Sequence, residues 1–347
     1  MTSDNSRGDI SIPLRNLLNS IRCIRDRVRD GESNESDSED FDLSNFWDTM
    51  NQAVKAVSQE ATKLSLAFST PPPPPQQDGE KLSESLQKSI LTMSTVYYWL
   101  PKSQGLSLRR QVRDASVEVL EGVGQLVEVI LASPLQSLSQ EQLTSTGGVW
   151  SACDHFPTLP RDNKAAVMLA LSAQVGVVKD AIEEIEQALL EEEDPFSDLL
   201  GGGVLDEGEE PRGNQDTYWS EWDRRVIGPC QGLMKASGAC LRKLSSAVRT
   251  NGDAGSAQNR AQLDDLEELS KDISPGVDDL ALCLYPPMEY TGVESNASKL
   301  ATVLKKILGL IRSSHVCGES ELTWVQFLEA AVEHNLQKAK DLVQSAP

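Results

Sequence analysis

The sequence predicts an all-α protein built as two antiparallel helical bundles joined by an acidic linker. Three observations predict it. Apolar residues recur at steps of three and four along every long segment, the period of a helix buried on one side. No stretch shows convincing apolar/polar alternation bounded by turn dipeptides, the pattern of a half-buried strand. The region lacking periodicity that separates the two sets of helices, residues 191–214, holds nine carboxylates, one arginine and the triplet Gly201-Gly202-Gly203. Low hydrophobicity with self-repelling charge predicts disorder there.

In chain order, Leu14, Leu17, Ile21, Ile24 and Val28 define a first helix, with Arg22, Arg25, Arg27 and Arg29 mostly on its wet side. This basic, amphipathic helix either meets an acidic partner or membrane surface or docks on its own bundle, and docking is the plainer reading. An acidic stretch, residues 31–42, follows. Ser44 reads as the N-cap of a helix through Phe68. The prolines at 71–75 break the chain, and a third helix runs from about Glu80 to Leu100, before Pro101. The fourth covers 107–132 with Val112, Val119, Val123, Leu126 and Ile130 inward; Gly122 and Gly124 inside it indicate close helix packing. Residues 139–155 make a weaker, shorter helix. The clearest periodicity lies in 161–193, where Met168, Leu171, Val175, Val178, Ile182, Ile185 and Leu189 share one seam, with Asp162 or Asn163 as cap and Pro195 as stop.

Beyond the linker, Trp219, Trp222, Val226, Leu233, Ser237, Cys240 and Leu244 mark a helix over 217–249 that Gly228-Pro229 should kink or break. Leu266, Ile273, Val277, Leu280 and Leu284 form the next seam, with a kink expected at Pro275 and a stop at Pro286-Pro287. Leu300, Val303, Leu304, Ile307 and Ile311, then Val325, Leu328, Val332, Leu336 and Val343, give the last two helices. The resulting division is 1–43, a basic helix plus an acidic stretch; 44–194, the first bundle with helix 10–30 docked on it; 195–214, linker; and 215–347, the second bundle.

The net charge of −21 argues against direct nucleic-acid binding and against an anionic membrane surface, since both require cations to displace counterions. No apolar run approaches the ~20 residues of a spanning helix, so membrane insertion is not expected. The six cysteines, Cys23, Cys153, Cys230, Cys240, Cys283 and Cys317, are scattered without a CxxC pair and read as reduced thiols of an intracellular protein.

Reaction chemistry is not legible. Cys153-Asp154-His155 is half a metal site without its other half, and reads as a helix-end thiol beside a surface histidine. Ser85 and Lys88 match SxxK by chance spacing, and Gly122 and Gly124 do not follow a strand. The pairs Glu183/Glu184, Asp264/Asp265 and Asp278/Asp279 are adjacent on helices and do not face each other. No catalytic residue, cofactor or metal ligand is therefore assigned, and the chain reads as non-enzymatic. Binding signals are stronger: the 168–189 seam, the aromatics Tyr218, Trp219 and Trp222, and Ser36 and Ser38 among acids that suit an acidophilic kinase. None of these defines a partner surface, which stays unknown at this stage.

Four passages carry a resemblance. They are Val96-Tyr97-Tyr98-Trp99-Leu100-Pro101-Lys102 with Gln104-Gly105 and Leu108-Arg109; Pro160-Arg161-Asp162-Asn163-Lys164-Ala165-Ala166; Asn214-Gln215-Asp216 with Tyr218-Trp219-Ser220-Glu221; and Ile273-Ser274-Pro275 with Val277-Asp278-Asp279-Leu280-Ala281-Leu282 and Tyr285-Pro286-Pro287-Met288. In this order they resemble the GCIP family of cyclin-D-interacting proteins, also described as helix-loop-helix proteins lacking a basic region. The resemblance implies a talin/vinculin-like bundle fold. It also implies a negative regulator of the cell cycle in cytoplasm and nucleus that binds D-type cyclins and lowers phosphorylation of the retinoblastoma protein by cyclin-dependent kinase. Helix-loop-helix transcription factors and a Grb2-like adaptor are further implied partners. The alternative is a cytoskeletal or adaptor scaffold with an actin-binding basic face, for which Arg242, Lys243, Arg249, Lys305, Lys306 and Arg312 are the available residues. A free-standing helix-loop-helix domain is not expected, because every candidate pair already belongs to a larger antiparallel set.

Overall fold

A computed structural model of the chain describes residues 10–31, 41–132, 139–192 and 218–346. The linker expected at 195–214 and nearly all of the acidic stretch at 31–42, with Ser36 and Ser38, lie outside the described residues. Among those described there are eleven α-helices and no strand: α1 Ser11–Asp30, α2 Leu43–Ala67, α3 Gln76–Trp99, α4 Leu106–Ala132, α5 Gln140–His155, α6 Asn163–Glu192, α7 Glu221–Asn251, α8 Ala257–Ser270, α9 Ile273–Leu284, α10 Tyr290–Ser313 and α11 Glu319–Gln344. They fall into two compact units, 1–166 and 167–347.

In the first unit α1 packs on α3 and α4, α4 on α5, α5 on α2 and α2 on α3, so five helices close a ring. The ring encloses Leu14, Met50, Leu86, Tyr97, Val119 and Phe156, all essentially without solvent contact. Helix α1 docks on this bundle, and Arg22–Glu128 at 2.7 Å and Arg29–Glu121 at 2.6 Å show that it runs antiparallel to α4. Arg22 and Arg29 therefore straddle a helix–helix seam, while Arg25 pairs with Asp26 on α1 itself. The chain enters α2 through Asp42, whose carboxylate accepts from Asn45 N–H at 3.0 Å; Ser44, the expected cap, is already helical. Asp42 prevails because its extended backbone leaves the side chain free to reach the third residue on. Gly105 turns the chain into α4 at a φ of 114°, and a Cβ there would strike Asn163. That approach lets Asn163 Oδ1 accept from Leu108 N–H at 3.0 Å, while Asp162 caps α6 itself.

The second unit is where the expected division changes. The helix at 161–193 was expected within the first bundle. Only its first turn lies there; from Val167 onward its fully buried residues Val167, Leu171, Val178 and Ile185 belong to the second core. Ile182 and Val178 lie 3.6 and 3.7 Å from the position a Cβ would take at Gly238, and Lys235–Glu186 at 2.7 Å closes the edge. The second unit thus contains six helices, α6 to α11, rather than four. Within it α7 packs on α11 and α10, and α10 on α11, α9 and α8.

Against expectation, α6 is long and apolar enough by length and composition to cross a bilayer, with an 18-residue stretch of mean hydropathy 1.5. Its composition fits a core helix equally well, since its seam is buried among protein side chains. Pro229 does not break α7. It is buried beside Val226, Ile227 and Cys230, and that packing holds the helix through a residue that costs about 3 kcal/mol in an open helix. The seam at 266–284 is not kinked at Pro275 but divided before it, at Lys271-Asp272. Pro275 sits in the first turn of α9, where a missing N–H forfeits no helical bond. Every described helix contributes to one of the two cores, so no helix pair stands apart as a helix-loop-helix domain among the described residues.

Candidate functional site

The short helix α5 carries the most suggestive surface. Ser139 caps it, accepting from Gln142 N–H at 3.1 Å. Its inner side is tied to α2 by polar groups rather than by apolar contact alone. Gln142 Nε2 donates to Ser65 O at 2.7 Å, and the hydroxyls of Ser65 and Thr146 meet at 2.8 Å, all buried. Trp150 Nε1 donates to Thr62 Oγ1 at 2.8 Å, which orients the indole against α2. This pairing runs antiparallel, 65 with 142 and 146, then 62 with 150.

The outer edge of the same pair is apolar and open. Leu66 is 65% exposed, Leu143 48% and Trp150 45%. Leu143, Gly147 and Trp150 are spaced four and three apart, hence on one helical face. Gly147 has no atom within 4 Å of where a Cβ would stand, so the helix surface between the leucine and the indole is open. A tryptophan held by its N–H, with part of its ring exposed beside an open glycine, is the kind of anchor at which binding energy concentrates.

The residues singled out for chemistry do not converge. Cys153 is buried, and burial, with Asp154 adding a lesser push, raises its thiol to about 12; it is an inert core thiol. His155 points away to Glu118, 3.6 Å off. No group of three or more His, Cys, Asp or Glu side chains among the described residues is placed to hold a metal. Ser85 donates to Glu60 at 2.8 Å, and Lys88 is exposed. Asp278 is raised, by burial first and then by Asp279 and Glu184, a push from neighbouring carboxylates. The two tryptophans divide: Trp219 is buried and donates to Leu284 O at 2.6 Å, whereas Trp222 is half-buried under Arg225.

Comparison with known proteins decides the relationship. Residues 49–191 match the family model described as Grap2 and cyclin-D-interacting, N-terminal, and 204–309 match its C-terminal counterpart. The chain is 61% identical to a cyclin-D1-binding protein 1 homolog of Danio rerio over 99% of both chains. It is 54% identical to a homolog of Xenopus laevis, covering 96% of this chain and 99% of that one. To cyclin-D1-binding protein 1 of Homo sapiens it is 42% identical, covering 96% and 93%. The chain belongs to the Grap2 and cyclin-D-interacting family.

That family is described by what its members bind, not by a reaction. Its N-terminal model ends at 191, near the boundary expected from sequence, yet the compact units divide at 166. The cations available for a cytoskeletal face are partly occupied, as Lys305 pairs with Glu333 and Arg312 with Glu329 on α11. Sequence reasoning passed over Leu66, Leu143, Gly147 and Trp150, because residues 139–155 lack strong amphipathicity. The available signal was the spacing Leu143, Gly147, Trp150 opposite Gln142, Val149 and Cys153.

Proposed function

We propose that this protein is a stoichiometric, non-enzymatic regulator that binds a D-type cyclin through the α2–α5 face. By occupying the cyclin it lowers phosphorylation of the retinoblastoma protein by the associated kinase, and so restrains the cell cycle in cytoplasm and nucleus. Helix-loop-helix transcription factors and a Grb2-like adaptor are met by bundle surfaces of the same protein, not by a separate helix-loop-helix domain. The names of the relatives support the cyclin assignment. The observation that carries the choice of face is the exposed apolar patch of Leu66, Leu143 and Trp150 with open space at Gly147: an apolar side chain from a partner can pack there without displacing any core residue.

The test is calorimetric titration of the full chain with a D-type cyclin, alongside kinase activity on a retinoblastoma fragment. Trp150→Ala is expected to weaken cyclin binding by about thirtyfold, the scale of an interface hot spot. Gly147→Ala separates binding from folding. It stabilises α5 by up to about 1 kcal/mol through helix propensity, yet places a methyl group in the contact surface and weakens the complex. An intact protein that neither binds the cyclin nor lowers the activity overturns the function; binding untouched by both substitutions overturns the face.

A further inference from the structure

One cavity in the first unit has a charge opposite to that of the chain as a whole. It lies where the C-terminus of α1, the C-terminus of α3 and the start of α4 meet, and encloses about 220 Å³. Lys102, Arg109, Arg110 and Arg113 line it, with Tyr97 and Gly31, and Asp30 is the one carboxylate among the described residues that line it. Four cations against one anion is a marked departure in a protein of net charge −21.

The geometry follows from the local sequence. Pro101 leads into the short turn Lys102–Gln104, and Gly105 swings the chain back into α4. Residues 109 and 113 then share a helical face, with 110 beside them. Arg109 is buried and held in place: its guanidinium donates to Leu100 O, to Gly31 O at 3.4 Å and to Tyr97 Oη at 3.3 Å, and stacks 5.1 Å from the Tyr97 ring centre. Arg113 is partly exposed and turned toward the neighbouring Asp114 at 2.8 Å. Lys102 reaches solvent at the rim. The N-terminal end of α4 adds its positive dipole end to the same place.

We propose that this cavity is a binding site for phosphoserine carried on an acidic stretch of chain. A phosphomonoester presents three acceptor oxygens and nearly two charges to the guanidinium and ammonium groups that line the cavity, so it gains more there than a carboxylate does. Ligand of this chemistry has two sources. One is this chain: Gly31 lines the cavity, and the sequence beyond it places Ser36 and Ser38 among Glu35, Asp37, Glu39 and Asp40. The other is a partner's phosphorylated acidic segment. The site is separate from the α2–α5 face and does not rest on it.

The experiment is fluorescence anisotropy with the full, unphosphorylated chain and a labelled synthetic peptide of residues 32–42 bearing phosphoserine at 36 and 38. The phosphopeptide is expected to bind in competition with inorganic phosphate, and more weakly as salt rises. Lys102→Gln and Arg110→Gln, both at solvent-reached positions, should each weaken it by about tenfold, the scale of a charge-assisted hydrogen bond. Arg22→Gln, on the same bundle outside the cavity, should leave it unchanged, and circular dichroism should show all three variants folded. Equal binding of the phosphorylated and unphosphorylated peptides, or full affinity in both cavity variants, overturns the site. A second arm uses chain phosphorylated at Ser36 and Ser38. Loss of peptide binding assigns the ligand to the chain itself, and retained binding assigns it to a partner.

Discussion

The two units solve the same problem with different materials. The first closes five helices around a core that includes Phe46, Trp47, Phe68, Tyr97 and Phe156. The second packs six around an almost wholly aliphatic core, with Trp219 at its edge and the thiols of Cys230 and Cys240 inside it. Burial pushes both thiols up to about 12, so they behave as small apolar side chains. The first unit also buries polar groups between helices, among them Gln142, Ser65 and Thr146, and holds Arg109 on backbone oxygens. Directional bonds of this kind fix one arrangement of side chains, whereas aliphatic contacts tolerate several. The second unit buries polar groups too, among them Asp264, Glu267 and Ser270, but both candidate surfaces, the α2–α5 patch and the basic cavity, lie in the first unit.

If the contrast between two independent cores is correct, damage to one core should spare the other. Phe156→Ala removes a ring that is 1% exposed, and is expected to cost the first unit about 3–5 kcal/mol. Calorimetry or hydrogen exchange should show the first unit's transition moved and that of 167–347 unmoved; a joint shift would dissolve the comparison. A smaller effect is expected at the entry to the second core. Tyr290 Oη donates to Asp223 Oδ1 at 2.6 Å, and the tyrosine is raised to about 12, by burial first and then by that carboxylate. Tyr290→Phe should cost about 1–2 kcal/mol, measured by urea unfolding. Asp223 keeps its bond to Ser220 N–H, so the cap of α7 survives.

The smallest effect is a pH dependence confined to the second unit. His315 Nε2 accepts from Asp253 N–H at 3.1 Å, and Nδ1 lies 2.7 Å from Gln262 Oε1, an arrangement suited to neutral imidazole. Burial lowers its pKa below the ordinary 6.5, against the opposing pull of Asp253. The unfolded chain then binds the proton more readily. Stability from this group is complete above pH 6.5 and is lost as pH falls through the lowered folded value. Melting of the second unit should fall on acidification below that point, and His315→Gln should flatten the dependence. A melting curve in which the first unit alone responds would remove this part of the contrast.

Helix existence was readable almost everywhere, because a helix that buries one side must repeat its apolar residues near 3.6, and Leu14 to Val28 or Val325 to Val343 do so without ambiguity. Caps were half readable. Asp162 acts as expected, Ser139 caps α5 without having been singled out, and Asp42 displaces Ser44. Two good capping residues two positions apart offer the same chemistry, and only the path of the backbone selects between them. Proline was only partly readable: Pro229 leaves α7 continuous, and the division expected as a kink at Pro275 falls before it. Its local penalty is fixed by covalent geometry, but whether a helix survives it depends on the contacts made by the flanking residues, which no local window contains.

The sequence by itself determined that the chain is all-α, that its surface is acidic and where nearly every helix lies, since these depend on composition and on periodicities shorter than one helix. Tertiary structure alone decided which core receives α6. Its seam of Val167, Leu171, Val178 and Ile185 is chemically fit for either bundle, and partnership is settled by the shape of the facing helix, here the small residue Gly238 opposite Ile182 and Val178. The same holds for the sites. Leu66 and Trp150, or Gly31 and Arg109, are separated by dozens of residues, and they become a surface or a cavity only because packing across the bundle brings them together.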